Sequence, residues 1–445
     1  MGREVELNRG RIIPTQLIEN RTPVDRVVLV AAPTKATDPR EAEEHLKELA
    51  RLTYTAGGEV ASVVYQRIDS PNPRFYVGSG KADEIRRTVR ESGADLVIFD
   101  EELTPAQGKS LEDHIGVRVM DRSELILDIF ATRARTREAK MQVELAQLQY
   151  LLPRLKRMWT HLSRTRGGIG LRGPGETQLE TDRRLIDTRI ADLRRKLQDV
   201  TSARKTRRKR RQGAYRAALV GYTNAGKSSL LNALASDELF VEDRLFATLD
   251  SATRKVDLGD GYQALVTDTV GFIRKLPHHL IASFRSTLEE AREADILLHV
   301  IDVSHPDWEE QNRVVDDVLR ELELDEKPQI LVFNKVDRLT HEEEAAIRER
   351  VRSFETTPSL FLSALHHRRL DDLKETLKAR IRATLQQVTL QLPARDGQAL
   401  AALYREGEVL GRREDGAEIE VTARVPESLL GRLRKRNGVR ILEVA

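Results

Sequence analysis

The chain contains no cysteine. Disulfides, thiolate catalysis and cysteine-ligated metals are therefore excluded, and a reducing cytoplasm is the compartment that suits it. No apolar run reaches the length needed to span a bilayer. The opening stretch MGREVELNRGRIIP has no apolar core of the kind a signal peptide needs. Net charge is also small, at +3, although 33% of the residues are charged and 40% are hydrophobic. The ten histidines show no metal-ligand spacing, and the pairs His278-His279 and His366-His367 read as surface residues. What remains is a highly charged chain of 445 residues, expected to be soluble and cytoplasmic. It is long enough for about three domains, each with its own core.

The charge is unevenly placed. From Arg133 to Arg166 there are nine Lys or Arg against two Glu, and RKTRRKRR (204–211) has seven basic residues out of eight. One such cluster reads as a solvated helix face or a linker. Two of them flanking a glycine-rich loop point to a polyanion, with RNA as the candidate.

Four segments follow one another. In the first, 1–130, the apolar runs VVLVAA (27–32), VASVVY (60–65) and DLVIFD (95–100) alternate with helical patterns such as REAEEHLKELARLTY. That alternation predicts a parallel sheet with helical crossovers. GSGK (78–81) lies within it but does not complete a phosphate loop. Phe75 stands where the first glycine is required, Ala82 stands where a metal-binding Ser or Thr is required, and a glycine turn opening a helix is expected instead.

In the second segment, 131–212, Met141, Leu145, Leu148, Leu152, Leu155, Trp159 and Leu162 recur at alternating spacings of four and three. Ile186, Ile190, Leu193, Leu197 and Val200 keep the same rhythm. One apolar stripe on each of two helices predicts an antiparallel hairpin. SRTRGGIGLRGPGET (163–177) would form its tip, and Pro153 should kink or interrupt the first helix. The tip reads either as a plain connector or as an RNA contact. Arg164, Arg166 and Arg172 can each donate a fork of hydrogen bonds to phosphates.

The third segment, 213–386, carries the chemistry. GYTNAGKSS (221–229) follows a strand and opens a helix, matching G-x-x-x-x-G-K-S/T. Backbone amides of Gly221, Tyr222, Thr223, Asn224, Ala225, Gly226, Lys227, Ser228 and Ser229 would wrap phosphates at a helix N-terminus. Lys227 would reach the β- and γ-phosphates, and Ser228 would ligate magnesium. NKVD (334–337) selects guanine: Asp337 can accept two bonds that adenine cannot offer, while Asn334 and Lys335 brace the loop. Ser363 and Ala364 follow a strand, where a backbone amide can meet the guanine oxygen. FATLD (246–250) offers Thr248 to the metal and to the attacking water. DTVG (268–271) offers Asp268 to the metal and the Gly271 amide to the γ-phosphate. The next residue is Phe272, which can neither accept a proton nor align a water. The fourth segment, 387–445, reads as β-α-β-β-α-β.

GYTNAGKSSL, LFATLD, DTVGFIRKLP and NKVD, together with GGIGLRGPGETQLETDRR, closely resemble HflX, a family of GTPases related to translation factors. The resemblance covers nearly the whole chain, including YVGSGKADEI near its start. It implies a mostly parallel α/β GTPase domain preceded by a smaller α/β domain and a helical hairpin, with a small α+β domain behind. It also implies GTP hydrolysis with magnesium and binding to the large ribosomal subunit and its rRNA; a monomer is expected when unbound. The family is associated with dissociating stalled or idle ribosomes, notably after heat stress, and also carries a hydrophobic residue at the Phe272 position. ATP use by the N-terminal domain has been attributed to some members, but GSGK departs from a phosphate loop here. In potassium-activated GTPases an asparagine at the Asn224 position helps hold a monovalent cation; the alternative is a turn residue chosen for its backbone geometry.

Overall fold

The protein is described by a computed structural model covering residues 25–158, 174–209, 215–235, 245–246, 248–249, 251–276, 285–354 and 357–444. Trp159, Leu162, most of the glycine-rich tip with Arg164, Arg166 and Arg172, and the His278-His279 pair lie outside these residues.

Near the start, RVVLVA forms strand β1 (Arg26–Ala31), buried at every position but the first. Helix α1 (Pro39–Ala56) follows. Asp38 caps it by accepting from the Arg40 amide at 2.8 Å, proline fills its first turn, and Gly57 ends it at φ 93. β2 (Glu59–Tyr65), α2 (Ser79–Ser92), β3 (Leu96–Phe99), α3 (Pro105–Ile115), β4 (Arg118–Asp121) and α4 (Arg122–Arg133) complete a sheet of order β2-β1-β3-β4, parallel throughout. The four-residue β4 is too short for a hydrophobic pattern to announce. GSGK opens α2 as expected: Gly78 is the N-cap, and Lys81 pairs with Glu84 at 2.7 Å rather than facing a loop.

α5 (Arg137–Met158) and α6 (Pro174–Lys209) form the helical pair, packed through Met141, Leu145, Ile190 and Leu193. Arg189 forks onto Glu144 at 2.7 and 2.9 Å across them. The expected interruption at Pro153 does not occur, because α5 runs through it. Neighbouring bonds hold that turn. Arg154 donates to the Tyr150 carbonyl at 3.2 Å, to Leu103 O at 3.0 Å and to Asp121 at 2.9 Å, so tertiary contacts offset the missing amide.

The next sheet has the order β10-β9-β8-β5-β7-β6, with only the β6–β7 pair antiparallel. Its elements are β5 (Tyr215–Gly221), α7 (Lys227–Ala235), β6 (Ala252–Gly259), β7 (Tyr262–Asp268), α8 (Arg285–Glu293), β8 (Ile296–Asp302), α9 (Trp308–Glu321), β9 (Gln329–Asn334), α10 (His341–Phe354), β10 (Ser359–Phe361) and α11 (Leu370–Thr384). The tail is β11 (Gln386–Pro393), α12 (Gly397–Glu406), β12 (Glu408–Asp415), β13 (Glu418–Val425), α13 (Glu427–Arg434) and β14 (Arg440–Val444). This is the expected β-α-β-β-α-β order, folded as an antiparallel sheet β12-β13-β11-β14. Among the described residues no helix is long and apolar enough to cross a membrane.

The first sheet docks directly onto the nucleotide-type sheet. Phe130 of α4 meets Phe246 edge to face, with ring centroids 4.6 Å apart. Beside them Arg122, 2% exposed, donates to Asp100 at 2.7 Å and to Glu48 of α1. Its second nitrogen reaches the Arg274 carbonyl at 3.3 Å, Tyr222 donates to Glu48, and Lys275 donates to Asp100. Burial alone would push the Asp100 carboxyl up; Arg122 and Lys275 outweigh it and hold the carboxyl below its ordinary value.

Arg122→Met should therefore leave the buried Asp100 and the half-buried Glu48 short of a partner and cost roughly 3–5 kcal/mol. The midpoint and slope of urea unfolding measure this. A loss below about 1 kcal/mol would mean that water compensates the network.

Candidate active site

The loop after β5 leaves a central strand of the sheet, at the carboxyl edge where open α/β sheets bind ligands. Two of its glycines are sterically required. A Cβ on Gly221 (φ 147) would lie 2.2 Å from the Val300 carbonyl oxygen, and one on Gly226 (φ 95) would lie 2.3 Å from Asn334 Nδ2. Asn224 takes φ 61, a left-handed conformation that asparagine tolerates. Helix α7 begins at Lys227, so the loop amides gather at a helix N-terminus.

Lys227 is buried, and its ammonium donates to the carbonyls of Gly221 and Tyr222 at 3.1 and 2.9 Å. Burial lowers its pKa to about 8, against the pull of Asp268. An anion beside it would favour the charged form.

Ser228, Thr248 and Asp268 converge as expected. Ser228 Oγ lies 2.6 Å from Thr248 Oγ1 and donates to Asp268 Oδ2 at 2.6 Å. Asp268 is 1% exposed, and its Oδ1 is buried without a hydrogen-bond partner. Burial pushes its pKa up, and Lys227 and the two hydroxyls oppose that. Two hydroxyls and a carboxylate with a spare oxygen form a hard donor set that fits Mg²⁺. A bound Mg²⁺ would neutralise charge on the phosphates.

The NKVD loop (334–337) is braced onto the loop after β5. Asn334 donates to the Ala225 carbonyl at 2.9 Å and accepts from the Ala364 amide at 3.0 Å. That amide is thus already used within the protein. Lys335, at φ 66, donates to the Asn224 carbonyl at 2.8 Å and to Asp302 at 2.7 Å. Ser363 is fully buried, and its hydroxyl accepts from the His366 amide at 3.2 Å. Asp337 Oδ1 is buried without a partner, and its Oδ2 lies 3.8 Å from His366. This unpaired oxygen is the feature a guanine edge would satisfy.

The second switch lies against the phosphate loop. Phe272 donates its amide to Gly221 O at 3.1 Å, and its carbonyl accepts from the Thr223 amide at 2.6 Å. A Cβ on Gly271 would meet Thr223 Cα at 2.7 Å and Lys227 Nζ at 2.9 Å. Thr223 Oγ1 accepts from the Phe246 amide at 2.8 Å, tying in the first switch. Phe272 itself is buried at 3% exposure in the shared core, so its side chain serves packing. The Tyr222 side chain likewise leaves the phosphate face for Glu48, and Ser229 lies half-buried in α7. The sequence reading missed Asp302. Its only signal was its place at the carboxyl end of a strand beside the phosphate loop.

A glycine loop at a helix N-terminus, a cluster of hard oxygen donors and the NKVD loop braced onto it fit a P-loop GTPase. Three family models match in succession: "GTP-binding GTPase N-terminal" over 43–131, "GTP-binding GTPase Middle Region" over 133–211 and "50S ribosome-binding GTPase" over 216–335. The chain is 44% identical to the GTPase HflX of Caldanaerobacter subterraneus over 417 residues, which is 92% of this chain and 93% of that protein. It is 50% identical to that of Flavobacterium psychrophilum over 71% of this chain and 76% of the relative. With Escherichia coli HflX it shares 45% over 81% and 85%. The chain belongs to the HflX family of GTPases. Among solved structures it is similar to a GTP-binding protein of Sulfolobus solfataricus in complex with GDP, at 24% identity and TM-score 0.43, over 80% of this chain and 98% of that one.

Asp337→Asn should weaken GTP binding at least tenfold and shift preference to xanthosine triphosphate, whose ring carries a carbonyl where guanine has an amino group. Calorimetric titration with both nucleotides reads the shift. Unchanged GTP affinity would remove Asp337 from the site.

Proposed function

We propose that this GTPase binds the large ribosomal subunit and its rRNA and promotes dissociation or rescue of stalled or idle ribosomes, under heat or other stress. The observation that carries the proposal is the match of 216–335 to the "50S ribosome-binding GTPase" model, in a chain of the HflX family whose switch loops bond to the phosphate loop. The protein works in the cytoplasm and is a monomer when unbound.

Its working units are 1–130, the hairpin and basic linker 131–212, the GTPase domain 213–386 and the tail 387–445. The hairpin carries Arg164, Arg166 and Arg172 toward RNA of the subunit face, where binding weakens subunit pairing. Gly221 to Ser229 hold the phosphates, with Lys227 on the β- and γ-groups. Ser228, Thr248 and Asp268 hold Mg²⁺. Asn334, Lys335 and Asp337, with Ser363 and Ala364 behind them, hold guanine. Thr248 and Gly271 address the attacking water and the γ-phosphate. Asn224 supplies a potassium ligand or serves as a turn residue, and its left-handed backbone satisfies the second role by itself.

Cosedimentation with large subunits in GTP, GDP and a non-hydrolysable GTP analogue tests this reading. Binding should depend on the triphosphate. Replacing Arg164, Arg166 and Arg172 by Ala should lower ribosome affinity and flatten its salt dependence, because fewer counterions are released. Basal hydrolysis should not change. Loss of basal hydrolysis to the same degree would assign the tip to support of the GTPase core. Binding that ignores both nucleotide and salt would favour a switch acting on a protein effector.

Isolated protein should turn over slowly, because Phe272 offers no acceptor, and large subunits should stimulate it strongly. Phe272 is buried, so Phe272→Leu is the informative variant: alanine would add a cavity. Its basal rate should stay within tenfold of wild type, a change under about 1.4 kcal/mol. The measurement is multiple-turnover hydrolysis with and without large subunits, in potassium and in sodium buffer. Fast hydrolysis unaffected by subunits would mean that the isolated chain has a complete catalytic set. Stimulation by potassium alone would credit Asn224.

A further inference from the structure

Two residues beyond Phe272, Arg274 occupies an unusual position. It is 7% exposed, and its Nε is buried without a hydrogen-bond partner. A small pocket of about 30 Å³ lies between α1 and the phosphate loop, and Arg274 lines it together with Arg51, Thr223 and Asn224. The backbone of Arg274 is clamped on both sides. Its amide donates to Tyr222 Oη at 2.9 Å, and its carbonyl accepts from Arg122 at 3.3 Å.

The carboxylates around this pocket are already engaged. Glu48 accepts from Arg122 and Tyr222, Glu44 pairs with Lys47 at 2.7 Å, and Asp302, which also lines the pocket, accepts from Lys335 at 2.7 Å. Among the described residues neither Arg51 nor Arg274 has an ion-pair partner. The pocket thus holds two guanidinium groups and no free counter-charge among those residues. Its effect extends to His45, whose pKa falls to about 4 through burial first and then through Lys275, with Arg274 contributing. The lining acids and bases balance in number, but two guanidiniums without an ion-pair partner, beside the two residues at the centre of the phosphate loop, suit an anion.

We propose that Arg274 is a catalytic residue of the GTPase reaction. Its guanidinium, carried by the second switch only three residues after Gly271, contacts the γ-phosphoryl group from within the same chain. In the reaction a water oxygen bonds to the γ-phosphorus. The bond from that phosphorus to the bridging oxygen breaks, its electron pair stays on GDP, and the water's protons leave with the phosphate. Charge builds on the bridging and γ-oxygens, and a fork of N–H donors stabilises it there. Phe272 still leaves the attacking water unaligned, so this arginine adds charge stabilisation without completing the site, and the isolated rate stays slow. The N-terminal sheet acts through Arg122 and Tyr222 as a positioning element for this arginine. The proposal rests on GTP occupying the loop after β5.

The test is single-turnover GTP hydrolysis by the full chain carrying Arg274→Ala, Arg274→Gln or Arg274→Lys, alone and with large ribosomal subunits. GTP affinity and the urea midpoint are measured for each variant. The rate should fall at least tenfold in the Ala and Gln variants in both settings, and about a hundredfold or more where hydrolysis is stimulated. Affinity for GTP should change less than about threefold, and Lys should restore part of the rate because it keeps the charge. A wild-type rate in Arg274→Gln overturns the proposal. So does a rate loss that tracks a lower urea midpoint in all three variants, which would make Arg274 a docking residue. Because the isolated rate is read separately, a failure of large subunits to stimulate wild type would undo the ribosomal reading and leave this one intact.

Discussion

Arg122 is the residue on which the rest of the structure depends. A guanidinium sealed from water is costly unless each of its donors finds an acceptor. Here Nε is buried without a partner, but the two terminal nitrogens find acceptors on α1, at the end of β3 and in the second switch, so one charge joins three segments distant in sequence. Glu48 and Asp100 then extend the network to Tyr222 and Lys275. A continuous apolar core runs beside it, from Leu49 and Phe130 on one side to Phe246, Val270 and Phe272 on the other. The two sheets therefore meet through directional bonds as well as through area.

This docking explains why side chains near the phosphates serve two tasks. Tyr222 and Phe272 lie within nucleotide motifs, yet both send their side chains into the interface while their backbones keep the loop geometry. A shift of either switch must therefore strain the contact with the first sheet. That is the physical requirement for coupling a nucleotide state to a distant surface. The docked sheet in turn holds the backbone of Arg274 beside the phosphate loop.

The site itself is braced for partners outside the chain. Asp268 and Asp337 each keep one buried oxygen unpaired, an unfavourable state that a cation and a guanine edge would relieve. Nearly every other polar group in these loops is spent on the protein: Asn334 on Ala225 and Ala364, Lys335 on Asn224 and Asp302, Thr223 on Phe246. Preorganisation of this kind lowers the ordering cost of binding.

The sequence by itself determined the elements whose chemistry is local. The phosphate loop, the guanine-reading loop and both switches depend on residues within a few positions of each other, so their spacing is legible in one dimension. Strand-helix alternation carried the first sheet and the tail unit for the same reason, and heptad-like spacing carried the packed faces of α5 and α6. Tertiary structure decided what spacing cannot encode. β4 is too short for a pattern, Pro153 stays helical because Arg154 is bonded elsewhere, and the Ala364 amide is taken by Asn334. The burial of Phe272, the destination of Tyr222 and the surroundings of Arg274 rest on contacts between residues more than a hundred positions apart. Each acquires its role only when a second sheet removes water from around it, because burial turns an ordinary arginine or tyrosine into one that must find a partner.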